Sequence, residues 1–240
     1  FVAEADQSVI GTVTTCVFGC VGWIGMLLVN ESRRGRGIGR RLMERAMCFL
    51  RSAGATRMRL DATEAGHPLH EKMGFRTHYK VVRFAGKPLV PDSLQAKVLP
   101  RAFRAADLPG LLSLDRTYTF VNRARLLARL VEESGIATRV VGEPNNLKGY
   151  LVERAGSQAL QVGPAIAGSN RVGRALLVES FQRHMGQPVY VDIPADHHEA
   201  VDIARRVGLV PQREFSRMCL GQPCHERIDG LWAGSGPEKG

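Results

Sequence analysis

Glycine and arginine alternate in one short segment of the chain, Arg34-Gly35-Arg36-Gly37-Ile38-Gly39, between an apolar strand pattern and an amphipathic helix pattern. Glycines let a backbone turn and approach a ligand without a Cβ clash. The first N–H groups of a helix have no partner within it, and the helix dipole favours negative charge there. Guanidinium groups add charge-assisted donors for phosphate oxygens. The segment therefore predicts a site for a pyrophosphate.

Two other phosphate-binding loops do not fit this segment. A dinucleotide-binding loop has the pattern G-x-G-x-x-G, followed by an acidic residue about 20 positions later. Here only Gly35-x-Gly37 fits, and position 40 is arginine. A Walker loop needs Gly-Lys-Ser/Thr, which the sequence lacks.

The positive charge of the chain is concentrated around the same segment. The formal net charge is +10, and nine arginines but a single acid, Glu44, lie between Arg33 and Arg59. This density indicates an anionic partner, either a nucleic acid or a phosphorylated cofactor, unless it is a solvated basic face. Aromatic residues make up only 6% of the chain, and no known reading helix is recognised, which argues against nucleic acid.

Hydrophobic periodicity predicts the elements that position the segment. In the first part of the chain it predicts strands at 1–5, 9–18, 23–29, 57–62 and 75–84, and helices at 40–54 and 68–73. Further on it predicts strands at 101–103, 138–141, 149–153, 159–162 and 189–193, and helices at 107–114, 123–133, 172–184 and 198–207. The strand at 23–29 has almost no polar residue, so we expect it to be central and buried.

This order of elements, the segment V-x-x-x-x-R-G-x-G-I-G from Val29 to Gly39, and the pair Gly74-Phe75 resemble the GNAT superfamily of N-acetyltransferases. The resemblance covers residues 1–84. It implies an α/β (α+β) fold with a mixed, mostly antiparallel sheet flanked by helices. It also implies acetyl-CoA as cosubstrate and no metal. The backbone groups of Leu27 and Val29 would pair with the pantetheine arm between two splayed strands. The pyrophosphate would be held by Arg34, Gly35, Arg36, Gly37, Ile38, Gly39 and Arg40.

The resemblance also implies direct attack of an unprotonated amine on the thioester, with an amide N–H near Leu28 stabilising the oxyanion. The family usually has a tyrosine acid where His70 stands. His70 either replaces that acid, since histidine donates protons near neutral pH, or is a surface side chain. Asp61 and Glu64 end the strand beside the pantetheine strand and are the candidate bases. A turn or capping role is the alternative for Asp61.

The two halves of the chain resemble each other. Four matches occur in the same order at separations of 131 to 138, which indicates a duplicated domain. The matches are Ile10-Gly11-Thr12 with Lys148-Gly149-Tyr150, Val29 with Val162, Leu60-Asp61-Ala62 with Val191-Asp192-Ile193, and Gly74-Phe75-Arg76 with Gly208-Leu209-Val210. We expect a GNAT acetyl-CoA-binding domain at 1–86, a linker at 87–96, a second GNAT-like domain at 97–221 and a flexible tail at 222–240.

The second copy has lost most of the chemistry-bearing residues. Its loop, 168–175, retains only part of the glycine pattern of residues 34–39. Ala204-Arg205 stand at the position that corresponds to His70, where the family has its tyrosine acid. We expect this copy to stabilise the protein or complete a cleft without binding CoA. His197 and His198 suggest a metal site, but adjacent side chains at a helix start point in different directions, so we expect capping and exposure instead.

The first half has no counterpart to residues 97–137, which precede the matching part of the second copy. We therefore expect the first domain to lack its N-terminal strand and helices. Those helices line a wall of the acceptor cleft in the family, so this wall should be absent or borrowed. The sheet edge at 1–5 should then expose unpaired N–H and C=O groups.

Composition bounds the remaining function classes. No apolar run reaches the roughly 18 residues of a membrane span. Three residues separate Cys16 from Cys20 and four separate Cys219 from Cys224, which fits no zinc site. We expect a cytoplasmic protein with reduced thiols that acetylates a primary amine of a small molecule, amino acid or peptide. No membrane partner is expected, and a homodimer stays open. The alternatives are a non-catalytic acyl-CoA-binding or interaction protein of the same fold and a nucleic-acid binder.

Overall fold

Strands and helices follow one another in the same order in residues 1–86 and again in residues 139–220. The computed structural model describes residues 1–96, 98–134, 137–222 and 226–240. A first unit contains residues 1–78, 216–222 and 237–240, and a second unit contains residues 79–215 and 226–236. Each unit is a mixed, mostly antiparallel sheet with helices packed on it, which confirms the expected fold class.

The sheet of the first unit has the strand order β1-β2-β3-β4-β11. Its neighbouring strands are antiparallel, except that β3 and β4 are parallel. The strands are β1 (Val2–Ala5), β2 (Ser8–Phe18), β3 (Val21–Val29), β4 (Arg57–Ala62) and the last part of β11 (Val210–Leu220), and the helices are α1 (Ile38–Ser52) and α2 (His67–Lys72).

The sheet of the second unit has the order β5-β10-β9-β8-β7-β6, and β12 also pairs with β9. Only β9 and β10 are parallel among the pairs described for this unit. The strands are the last part of β5 (Arg76–Gly86), β6 (Arg101–Ala102), β7 (Arg139–Glu143), β8 (Asn146–Arg154), β9 (Leu160–Ala167), β10 (Val189–Pro194) and β12 (Leu231–Ala233). The helices are α3 (Leu108–Thr119), α4 (Ala124–Ser134), α5 (Asn170–Arg183) and α6 (His198–Arg206). None of the helices in the described ranges is long and apolar enough to cross a membrane.

Helices α1 and α5 occupy equivalent places on the two sheets. A Cβ on Gly11 of β2 would lie 3.0 Å from the Leu42 side chain of α1, and a Cβ on Gly149 of β8 would lie 2.9 Å from the Leu176 side chain of α5. At both positions the helix packs so closely on the strand that a larger residue would force the neighbouring side chain to move. The strand register pairs Gly11 with Val29 and Gly149 with Ala167. Val29 thus corresponds to Ala167, and its sequence match to Val162 was misaligned.

The face of the sheet opposite α5 is covered in the second unit by α3 and α4. Tyr150 and Ile166, a cross-strand pair, are buried there with side chains from both helices. In the first unit, no helix within the described ranges covers the corresponding face, and Met26 and Leu28 are exposed. The strand β1 lies at the edge of its sheet, where it pairs with β2.

The two sequence repeats exchange their last strands. β5 ends the first repeat but pairs in the sheet of the second unit, and β11 ends the second repeat but its last part pairs in the sheet of the first unit. The last part of β11 pairs with β4, and β5 pairs with β10. Each of these pairings carries a buried ion pair: Arg217 with Asp61 at 2.8 Å, and Arg83 with Asp192 at 2.7 Å. Because of this exchange, the compact units cross the boundaries expected from the sequence repeats. The segment expected to be a flexible tail contains β12 and contacts of both units.

Candidate active site

The glycine–arginine segment forms the turn from β3 into α1. A single 3₁₀ turn, Glu31–Arg33, precedes it and is capped by Asn30. Gly35 and Gly37 both have φ of +77°, the left-handed region that favours glycine, and a Cβ on either would have no atom of the described part of the chain within 4 Å. Gly37 is the N-cap of α1, and no side chain of the described residues caps the helix. The first amides of α1 therefore point into open space, as an anion site requires.

The arginines of the loop make exposed contacts that a ligand can replace. Arg34 Nε donates to the carbonyl oxygen of Val29 at 3.2 Å, which holds the loop against the end of β3. Exposed ion pairs contribute little to stability. The guanidinium groups can therefore leave these carboxylates and bind phosphate with little loss of folding free energy. The other pairs are Arg33 with Asp6 at 2.8 Å, Arg34 with Glu31 at 3.4 Å and Arg40 with Glu44 at 2.9 Å.

A slot opens between β3 and β4 beside this loop. The two strands pair only from Val21–Trp23 to Arg57–Arg59, although β3 continues to Val29. Met26 has φ of +50°, and the register of β3 against β2 shifts beside it, so β3 is bulged at this point. Parallel strands that diverge at their carboxyl ends provide a crevice in which ligands of open α/β sheets bind.

Backbone direction decides which groups face the slot. The N–H of Asn30 donates to the carbonyl oxygen of Ile10 on β2 at 2.9 Å. Backbone groups alternate in direction along a strand, so those of Leu28 also point to β2. The expected oxyanion-stabilising amide is therefore not that of Leu28, because its N–H faces β2 and not the slot. The backbone groups of Leu27 and Val29 point away from β2, toward the slot. These are the two residues that the sequence assigned to the pantetheine arm.

His70 lies in α2, directly after the carboxyl end of β4. Its side chain is buried, its ring is 6.0 Å from that of Phe75 in an edge-on contact, and its Nδ1 has no hydrogen-bond partner among the described residues. Burial, with a smaller effect of His67, lowers the pKa of His70 to about 4. Leu69, its neighbour, lies beside Gly39, where a Cβ would be 3.5 Å away. Helix α2 therefore lies beside the glycine–arginine loop. His70 itself is uncharged at neutral pH because its pKa is well below 7.

Acid should destabilise the first unit through His70. The pKa of about 4 lies below the ordinary value of 6.5, so the unfolded chain takes up the proton first, and stability falls as the pH falls from 6.5 through 4. The loss attributable to His70 is at most about 3 kcal/mol. Urea unfolding of the wild type and of His70→Phe at neutral and acidic pH measures it. His67→Gln is the control and should keep most of the loss, and equal pH dependence in all three proteins would contradict the burial argument.

The two candidate bases differ in what surrounds them. Asp61 faces Arg217 across the β4–β11 pairing, and both carboxylate oxygens accept from this guanidinium at 2.8 Å. The guanidinium in turn lies 4.9 Å from the centre of the Trp23 ring. Asp61 is therefore accounted for by a buried structural ion pair. Glu64 is exposed in the turn that follows β4, at the same edge of the sheet as the glycine–arginine loop.

The equivalent slot of the second unit is filled by the chain itself. β9 and β10 pair only from Leu160 to Val162, as β3 and β4 do at the corresponding place. Beyond that point β12 pairs with β9, and the N–H of Gly234 donates to the carbonyl oxygen of Asp192 on β10 at 2.8 Å. A peptide strand thus occupies the place that corresponds to the slot between β3 and β4.

Trp232 of β12 fills the remaining space in front of α5. A Cβ on Gly173, which corresponds to Gly39, would lie 1.9 Å from the fully buried indole ring of Trp232. Arg123, buried in an ion pair with Asp115 at 2.6 Å, also donates to Ser235 Oγ at 3.1 Å. Sequence periodicity missed this segment because β12 has only three residues; the available signal was Trp232, an indole in a stretch otherwise taken for a tail.

His197 serves as a helix cap, as expected, but the expected exposure is wrong for His197, whose side chain is buried; His198 is exposed. Its Nδ1 accepts from the N–H of Ala200 at 3.2 Å, and its ring lies 4.4 Å from that of Trp232. Across the part of the chain that the structure describes, no three His, Cys, Asp or Glu side chains are grouped to hold a metal ion. Cys224 lies outside the described residues.

Comparison with known proteins agrees with this geometry in both halves. A profile described as an acetyltransferase (GNAT) family matches residues 1–75, and one described as an acetyltransferase (GNAT) domain matches residues 111–233, slightly more than half of the chain. The chain belongs to the GNAT superfamily. As a GNAT protein it is an acetyl-CoA-dependent acyltransferase.

Three relatives illustrate the GNAT relationship. The chain is 28% identical over 206 residues to the uncharacterized N-acetyltransferase YitH of Bacillus subtilis (strain 168), which covers 84% of this chain and 72% of YitH. A candidate acetyltransferase of Pyrococcus horikoshii superposes with a TM-score of 0.80 at 22% identity, over 98% of this chain and 78% of that one. A tandem GNAT protein from the clavulanic acid biosynthesis pathway superposes with a TM-score of 0.61 at 17% identity, over 93% and 83%. At these identities the two structures show the shared fold.

Proposed function

We propose that the first unit alone binds acetyl-CoA and transfers its acetyl group to a primary amine of a small molecule, amino acid or peptide. The observation that carries the proposal is the contrast between the two slots. The first has left-handed glycines, an uncapped helix start and diverging strands. The second is filled by β12 and Trp232.

The residues that would hold the cosubstrate follow from this geometry. The amides of Gly37, Ile38 and Gly39, at the start of α1, suit the pyrophosphate, and Arg36 adds charge at the exposed tip of the loop. The backbone groups of Leu27 and Val29 suit the amides of the pantetheine arm. When bound, acetyl-CoA supplies the thioester, whose C–S bond breaks as the amine nitrogen forms the new C–N bond.

Proton transfer needs one acceptor and one donor, because the attacking nitrogen loses a proton and the leaving sulfur gains one. Glu64 is exposed at the edge of the slot and can receive a proton through water. His70, with its low pKa, is not an imidazolium at neutral pH, so its neutral ring stabilises the leaving sulfur through an N–H hydrogen bond, and the sulfur takes its proton from water. Holding both reactants in one site supplies a large part of the rate enhancement.

Titration calorimetry and a thiol-release assay test this function together. We expect one acetyl-CoA per chain, and thiol release that depends on at least one amine from a panel of alkylamines, amino acids, amino sugars and peptides. Two acetyl-CoA per chain would contradict the assignment to the first unit. Binding without thiol release for any amine would instead support a non-catalytic acyl-CoA-binding protein.

Substitutions of His70 test its role as a hydrogen-bond donor. His70→Phe keeps an aromatic ring against Phe75 but has no donor, so kcat should fall by about 10-fold or more. His70→Tyr restores a donor and should recover or exceed the wild-type kcat. The KM for acetyl-CoA should change little in either variant. Equal kcat values for Phe, Tyr and the wild type at every pH would remove His70 from the reaction.

A further inference from the structure

The segment Pro237–Gly240, here named the tail segment, belongs to the first unit and lies on β3. Trp23 Nε1 donates to the carbonyl oxygen of Pro237 at 3.1 Å. A Cβ on Gly25 would lie 2.9 Å from both the Cα and the carbonyl oxygen of Glu238. Glycine at position 25 is therefore what lets the tail segment pack directly on the strand.

The tail segment lies on the face of the sheet that α1 leaves open. A Cβ on Gly22 would lie 2.7 Å from the Leu50 side chain of α1, and Ile24 is buried in the same core as α1. Side chains alternate along a strand, so Trp23 and Gly25 face the opposite side. An acceptor amine has to approach from this side, because α1 and the loop cover the other.

Glu238 lies at the far end of the slot from the loop. The loop closes on Val29, at the carboxyl end of β3, and Gly25 immediately precedes the bulge at Met26. A pantetheine arm that starts at the loop and follows β3 therefore brings its thioester toward Gly25. In the second unit the equivalent glycine, Gly163, has the carbonyl oxygen of Gly234 at the same place, 2.2 Å from an added Cβ.

An apolar surface continues from the tail segment along β3. Leu27 and Val29 pack toward the core beneath α1, so Leu28 points to the open face. Met26 and Leu28 are 47% and 56% exposed. The side chain of Glu238 keeps 28% of its surface exposed while its carboxylate lies 3.6 Å from Lys239 Nζ. The backbone of Glu238 thus lies against Gly25, next in sequence to Met26, on the face of β3 to which Leu28 also points.

We propose that Glu238, Met26 and Leu28 form the acceptor subsite of the first unit, and that it selects a cationic primary amine with an apolar body. The proposal rests on the proposed acetyl transfer. The Glu238 carboxylate receives the ammonium group, and Met26 and Leu28 contact the apolar part. Lys239 weakens this attraction by partly neutralising Glu238. The tail segment thereby supplies part of the wall that helices provide in the second unit.

Steady-state kinetics with simple surrogate acceptors test the subsite. The probes are ethylamine, butylamine and hexylamine, which are cationic at neutral pH, and hydroxylamine, which is uncharged. In the wild type, KM should fall by roughly 2- to 4-fold for each added methylene. Glu238→Gln should raise the KM of butylamine by about 10-fold, whereas Lys239→Gln should lower it. Asp92→Asn, an exposed carboxylate of the second unit, is the charge control and should change neither.

The outcomes separate this proposal from the proposed function. If neither the four probes nor any amine of the panel is acetylated, acetyl transfer itself is contradicted. Acetylation with the same butylamine KM in Glu238→Gln and the wild type would overturn the subsite alone. A rise in KM for hydroxylamine as large as that for butylamine would show a general disturbance of β3 and would also overturn it. The KM for acetyl-CoA should stay within about 2-fold in every variant.

Discussion

Gly37→Val should abolish measurable acetyl-CoA binding, with an increase in Kd of at least about 100-fold, equivalent to about 2.7 kcal/mol. Gly37 has φ of +77° at the N-cap of α1, and a β-branched residue is an outlier in this left-handed region. The chain would shift the loop to relieve the strain. The first amides of α1 and the loop arginines would then no longer converge on one anion, and titration calorimetry measures the loss.

Gly54→Val is a matched control for Gly37→Val. Gly54 follows the other end of α1, has φ of +87°, and an added Cβ there also has none of the described atoms within 4 Å. The backbone strain is therefore similar and so is the expected loss of stability, but the substitution is a whole helix away from the loop. Acetyl-CoA affinity should be unchanged. Equal loss of affinity in both variants would mean that strain, and not the loop, controls binding.

The sequence was sufficient to predict the loop and most elements because their signals are local. Arg57–Ala62 was predicted as a strand with the bounds that the structure has, and α1 differs from its predicted span by two residues at each end. The glycine and arginine spacing of the loop, the apolar periodicity of the helix and the helix stop at Gly54 can each be recognised within a short stretch of sequence. The family pattern also assigned Leu27 and Val29 to the pantetheine arm; the backbone groups of both point away from β2, and the assignment itself stays a prediction.

The parts that escaped prediction depend on contacts distant in sequence. Asp61 was a candidate base, but its partner Arg217 is 156 residues away, and the exchange of last strands that joins them has no local signal. The filling of the second slot by Trp232 is similar, since three residues of β12 are too few for periodicity. The burial that lowers the pKa of His70 is also tertiary, because the residues of α2 alone indicate only a short polar helix.

Trp232→Ala should be among the most destabilising substitutions in the second unit, at about 3–5 kcal/mol. The indole ring is fully buried against α5 and the ring of His197, and its removal leaves a large cavity in front of α5. Chemical denaturation measures the loss. Met185→Ala, which truncates a side chain that is 51% exposed, is the control and should stay within about 0.5 kcal/mol of the wild type.

A double-mutant cycle with Gly173 makes the Trp232 prediction specific to the packing in the slot. Gly173→Ala alone should destabilise the protein, because the added Cβ would lie 1.9 Å from the indole ring. In the Trp232→Ala background this clash is absent, and alanine is the better helix former by about 1 kcal/mol. The same substitution should then be neutral or stabilising there. A reversal of sign is the signature of direct contact between the two residues. An equal effect of Gly173→Ala in both backgrounds would show that Trp232 does not fill the slot. The number of acetyl-CoA molecules bound per chain should remain one in all four proteins, because the loop at 168–175 lacks the left-handed glycines of the first unit, Gly35 and Gly37.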